Sequence, residues 1–84
     1  MTLYELAMRN GAHLYTTEDP HTAQHLSGVE EEWEARFVVL PIAASGIFQG
    51  SSRGDAREAF ENERDIRPTR INLEAIDYVT VYVN

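Results

Sequence analysis

Apolar residues recur along the chain with two different periods, and the switches between them divide it into elements. Leu3, Leu6 and Ala7, widened by Tyr4 and Met8, fall at helical spacing within and behind "TLYE", where Thr2 and Glu5 match a capping box. The pattern predicts a short helix from Thr2, ended by a left-handed residue at Gly11. "HLYTT" changes to strand-like composition. "EDP" then opens a second short helix from Pro20 to Ser27, with Asp19 as its N-cap and Gly28 as its stop. In "EEWEARFVVLP" the period becomes two, so Trp33, Ala35, Phe37 and Val39 share one face of a half-buried strand while Glu34 and Arg36 take the other. Pro41 interrupts that strand, and "IAASGIFQG" reads as a second strand or a bent continuation, with Gly46 permitting a bulge.

The C-terminal half repeats the alternation. "GSSRG" is a loop, and "DAREAFENERD" is a helix capped by Asp55 and Glu58 that turns Ala56, Ala59 and Phe60 inward while Arg57 and Arg64 interleave with acids outside. Pro68 breaks that helix. Tyr78 to Val83, β-branched and aromatic, carries the strongest strand signal and is expected near the sheet centre or at a dimer edge. Helices alternating with strands, without repeats or linkers, predict an α+β fold. The expectation is one small domain over residues 1–84, with a mainly antiparallel sheet of about three to four strands packed with two to three short helices.

Length limits what such a domain can do. A chain of 84 residues buries only ~60–65% of its unfolded surface, so a deep catalytic cleft is not expected. With no cysteine there is neither a disulfide framework nor a thiolate zinc site. "MTLYELAMRNGAH" lacks the basic start and apolar run of a signal peptide, and no stretch approaches transmembrane length, so a soluble cytoplasmic protein is expected.

Charge adds a direction. Fourteen acids face seven basic residues, all arginine, and residues 1–35 hold seven of the acids against Arg9 alone. Such a field repels phosphate backbones and anionic lipid, which disfavours direct nucleic-acid or membrane binding and favours a protein partner with a basic surface.

Candidate chemistry is sparse. His21 and His25 in "HTAQH" stand one helical turn apart, as two zinc-binding imidazoles do. Extended to "HTAQHLSGVEE", the segment resembles the metzincin protease signature in its spacing, with Glu31 at the place of that family's third histidine. It departs where chemistry would start, because Thr22 replaces the glutamate that activates the zinc-bound water. What is left is at most a non-catalytic ion held by His21, His25 and Glu31, with His13 as a further donor, and no metal site is expected. In "SSRGD", Gly54 and Asp55 serve a turn and a helix cap more readily than adhesion, and "GSSRG" lacks the G-K-[ST] ending of a phosphate loop. No nucleophile elbow accompanies Ser45, Ser51 or Ser52, so no enzyme and no cofactor are expected.

"VEEEWEARF" is the stretch with interface character. Glu30, Glu31, Glu32 and Glu34 surround Trp33, an aromatic of the type that anchors protein contacts. If Trp33 turns into the core, Glu32 and Glu34 still face outward. In size, acidity and lack of catalytic motif the chain is similar to phage-encoded anti-defence proteins, such as anti-CRISPR or anti-restriction inhibitors. That resemblance implies a nucleic-acid mimic that occludes a basic, nucleic-acid-binding surface. The alternatives are a homodimeric structural or regulatory subunit paired through the C-terminal strand, and a small metal-binding protein.

Overall fold

The computed structural model describes residues 1–22, 37–43 and 53–83. Among them are strands β1 (Thr2–Met8), β2 (His13–Thr16), β3 (Phe37–Ala43), β4 (Ile66–Asn72) and β5 (Ile76–Val83), helix α1 (Arg53–Glu61) and a 3-10 turn, Leu73–Ala75. One antiparallel sheet has the order β2-β1-β5, and β3 pairs antiparallel with β4 in a second. The described chain is therefore mostly antiparallel strand with little helix. It holds five strands in two sheets, rather than three to four in one.

The capping-box segment is a strand, contrary to the helix its spacing predicts. Leu3 and Leu6 are both fully buried, but in different places. Leu3 packs with Tyr15, Ala43 and Ala56 on the side of α1, whereas Leu6 packs with Val38, Leu40, Ile42 and Ile71 on the side of the second sheet. Positions of opposite parity point to opposite faces of a strand, so a strand covered on both sides shows the same i, i+3 apolar spacing as one helix face. β1 is central, and hydrogen bonding to β2 and β5 outweighs whatever two isolated helical turns could gain.

Gly11 does adopt the left-handed conformation, with φ of 92°, but it closes a hairpin. Its amide donates to the Met8 carbonyl at 3.0 Å, and the Met8 amide donates to the Ala12 carbonyl at 2.8 Å. The Asn10 side chain accepts from the Ala12 amide, which completes a three-residue loop closed by a left-handed glycine. A Cβ there would meet nothing, so the dihedral alone selects glycine.

At the next predicted boundary Asp19 Oδ1 accepts from the His21 amide at 3.0 Å, and helical backbone begins at Pro20, as an N-cap followed by proline requires. The rest of that helix, to Ser27 and Gly28, lies outside the described residues.

β3 corrects the predicted face. Val38, Leu40 and Ile42 are buried and Val39 is 61% exposed, so Phe37 and Val39 do not face the core. Phe37 instead lies under the Arg70 guanidinium, 4.2 Å from ring centroid to Cζ. Trp33, Glu34, Ala35 and Arg36, which set the predicted register, lie outside the described residues, as does Gly46. Pro41 does not interrupt the strand but sits directly opposite Pro68, which in turn lies inside β4 instead of breaking a helix. A two-stranded ladder tolerates this pair at a rung where the amides would point out of it.

α1 turns the predicted residues inward but has other ends: Arg53 and Gly54, read as loop, are helical, Asp55 lies in the first turn instead of capping it, and the helix stops at Glu61. Ala56 is fully buried and Ala59 and Phe60 pack against the Leu3 cluster. Its end is a Schellman motif: the Arg64 amide donates to the Ala59 carbonyl at 3.0 Å and the Glu63 amide to the Phe60 carbonyl at 3.3 Å, with Glu63 left-handed at φ 53°. Glutamate is strained there and faces the negative end of the helix. Glu63→Gly is therefore expected to stabilise the fold by about 0.5–1 kcal/mol, and Glu63→Val to destabilise it, as read by denaturant midpoints.

The 3-10 turn carries the chain from one sheet to the other. Asn72 Oδ1 caps it by accepting from the Glu74 amide, and the Arg9 amide ties it to the first hairpin through the Ala75 carbonyl. No helix among the described residues is long and apolar enough to cross a membrane.

Candidate functional site

The α1 face of the first sheet holds a polar cluster centred on Glu5. The register sets Glu5 opposite Tyr15 on β2 and Thr80 on β5, and Ala7 opposite His13, so these side chains share one face. Tyr82, opposite Leu3, shares it too. Glu5 Oε2 accepts from Tyr15 Oη at 2.9 Å and His13 Nδ1 at 3.0 Å, while Oε1 accepts from Tyr82 Oη at 2.9 Å. Since an ionised carboxylate only accepts, His13 presents Nδ1–H to it. Arg53, opening α1, lays its guanidinium over the Tyr82 ring at 4.1 Å.

Electrostatics fix the protonation states. Burial pushes the Glu5 carboxyl upward, but the hydrogen bonds from Tyr15, Tyr82 and His13, with the charge of His13, together hold it below the ordinary carboxylate range. Burial first, and then the hydrogen bond to Glu5 and its negative charge, push Tyr15 up to about 12. A carboxylate this well solvated by fixed donors is a weak base, and a phenol this resistant to ionisation is a weak nucleophile. The cluster ties three strands and a helix together.

The expected interface residues Glu30, Glu31, Glu32, Trp33 and Glu34 lie outside the described residues, and so do His25 and Glu31 of the candidate ion site. His21 is exposed at the start of the helical turn, and the His13 ring is engaged by Glu5. Among the described residues no three His, Asp or Glu side chains are grouped to hold a metal ion.

Two other features are displayed to solvent. Glu58, Glu61, Glu63 and Asp65, on α1 and its exit, are exposed and form no ion pair among the described residues. Among the described residues β5 is an edge of its sheet, with Tyr78 58%, Val81 51% and Val83 79% exposed. The expectation of a central or dimer-edge strand thus resolves to an edge, since β1 occupies the centre.

Sequence reasoning missed the Glu5 cluster. Its partners lie 8, 10 and 77 residues away, and a single glutamate in an apolar run matched a helix cap instead. The available signal was "HLY", whose His13 and Tyr15 fall on one face of any strand. No protein-family model, no curated protein and no solved structure matches this chain.

Proposed function

We propose that this chain is a small, non-enzymatic binding protein that sets an acidic surface against the basic, nucleic-acid-binding surface of a protein partner, in the manner of phage-encoded anti-defence inhibitors. The observation that carries this reading is the display of unneutralised charge. The chain has a net charge of −7, and Glu58, Glu61, Glu63 and Asp65 stand exposed without ion pairs among the described residues. Exposed acids contribute little to folding, whereas a net negative field, which the chain keeps despite Arg53, Arg57 and Arg64 among these acids, accelerates encounter with a basic surface. The Glu5 cluster supports the non-enzymatic half, because its acceptors are already engaged and its carboxyl is held ionised.

The test is charge reversal in two sets, Glu30, Glu31, Glu32 and Glu34 to lysine, and separately Glu58, Glu61 and Asp65 to lysine. A partner captured by the wild-type chain is expected to associate at least about tenfold more slowly with one of these variants at low salt. Melting should stay within about 1 kcal/mol of wild type. If both variants bind the partner as fast as wild type, the acids are only a solvated face.

A further inference from the structure

β5 contains a palindrome. Residues 78–82 read Tyr-Val-Thr-Val-Tyr, the same in both directions about Thr80. They lie on the strand whose outer edge pairs with no other strand among the described residues. We propose that β5 pairs antiparallel with β5 of a second copy of this chain across a two-fold axis at Thr80, extending the three-stranded sheet into a continuous six-stranded one.

A symmetric dimer must be self-complementary, because each patch meets its own copy. Pairing about Thr80 sets Tyr78 opposite Tyr82, Val79 opposite Val81 and Thr80 opposite Thr80 of the other copy. Aromatic, β-branched and threonine pairs are the cross-strand combinations that stabilise a ladder. Charge selects the direction. Asp77 is the one charged residue of β5, and a parallel pairing in register would stack it on its copy. In the antiparallel register Asp77 faces Val83, and the two Asp77 residues stand about 20 Å apart, beyond the screening length at physiological salt.

The devices that block such pairing stop short of the palindrome. The register shift of β5 against β1 falls at Asp77, the one charged residue of the strand, whereas Tyr78 to Val83 has no proline and no charge and its ladder with β1 runs without irregularity. Tyr78 and Val81, two of the exposed large apolar side chains of β5, fall in the palindromic segment, and Val83 follows it directly.

Symmetry has a consequence for the binding surface. A two-fold axis perpendicular to the sheet leaves each face on its own side, so both copies of α1 cover the same face of the joined sheet. The exposed acids of the two α1 helices are then presented together, while the second sheets lie on the opposite side. The pairing stands on β5 alone, whether or not the acids meet a basic partner.

Light scattering on the wild-type chain at high micromolar concentration is expected to return twice the chain mass, and a monomer mass would overturn the proposal. The absence of cysteine gives a direct register test. Thr80→Cys places two thiols opposite each other at the axis, within disulfide reach, whereas Val83→Cys places them about 20 Å apart. Under mild oxidation Thr80→Cys should form a covalent dimer at least about tenfold faster than Val83→Cys, and equal rates would overturn the register. Because Thr80 neighbours Glu5, an edge variant serves as the second line. Val81→Lys, at a half-exposed position, should fold and run as a monomer, and a folded Val81→Lys dimer would overturn the interface. Two copies of net charge −7 repel, so dimerisation should strengthen as salt rises, the opposite of binding to a basic partner.

Discussion

Glu5→Ala is expected to destabilise the fold by about 2–4 kcal/mol, a large share of what a domain of this size possesses. The substitution removes one carboxylate and strands three donors. Tyr15 Oη suffers most, because Tyr15 is only 5% exposed and cannot turn to water, whereas the half-exposed His13 can be rehydrated. Glu5→Gln keeps an acceptor but aims an amide at phenol groups that also donate, and should lie between alanine and wild type.

The same cluster predicts the pH profile. A carboxyl held below its ordinary value of 4.5 contributes stability that is fully present above that value and is lost as pH falls through the folded pKa. Tyr15, raised from 10.0 to about 12, contributes stability that is present below pH 10 and is lost as pH rises toward 12. Wild type should therefore weaken at both extremes, and Glu5→Gln should flatten the acid limb and only reduce the alkaline one, whose larger cause is the burial of Tyr15. A variant whose denaturant midpoints parallel wild type across the acid limb would show that Glu5 is not the linked group.

Leu6→Ala is expected to cost about 2–5 kcal/mol, measured by urea unfolding. Leu6 is fully buried between the sheets among Val38, Leu40, Ile42 and Ile71, and none of these can close the gap without leaving its own ladder. Val39→Ala, one residue from two buried neighbours but itself mostly exposed, should change stability by no more than about 0.5 kcal/mol. The small cost at Val39 reads the register of β3 directly, since the face predicted from "EEWEARFVVLP" would bury Val39 and make its truncation costly. Comparable losses at Leu6 and Val39 would contradict the described packing.

Local chemistry was legible in the sequence wherever one residue type has one conformational use. Asp19 caps and Pro20 opens a helical turn, Gly11 is left-handed, Ala56, Ala59 and Phe60 of α1 turn inward, and Tyr78 to Val83 is a strand. What failed was inference that needed a tertiary neighbour. The apolar spacing of Leu3 and Leu6 suits one helix face or two strand faces equally, and only the layers on either side of β1 decide between them. Pro68 reads as a helix breaker until Pro41 is seen across from it. Of the candidate sites, the acidic stretch from Glu30 to Glu34 lies outside the described residues. The Glu5 cluster was hidden because Tyr82 comes from the far end of the chain, and the palindrome about Thr80 was plain in the sequence but meant nothing before β5 proved to be an edge.

The occlusion mechanism at the centre of this account is tested most directly by competition. The captured partner is loaded with labelled nucleic acid, the wild-type chain is titrated in, and the fraction of nucleic acid bound is followed by fluorescence anisotropy. The account predicts stoichiometric displacement at low salt, weakening as salt rises. A ternary complex, in which the partner keeps its nucleic acid while saturated with this chain, would contradict it.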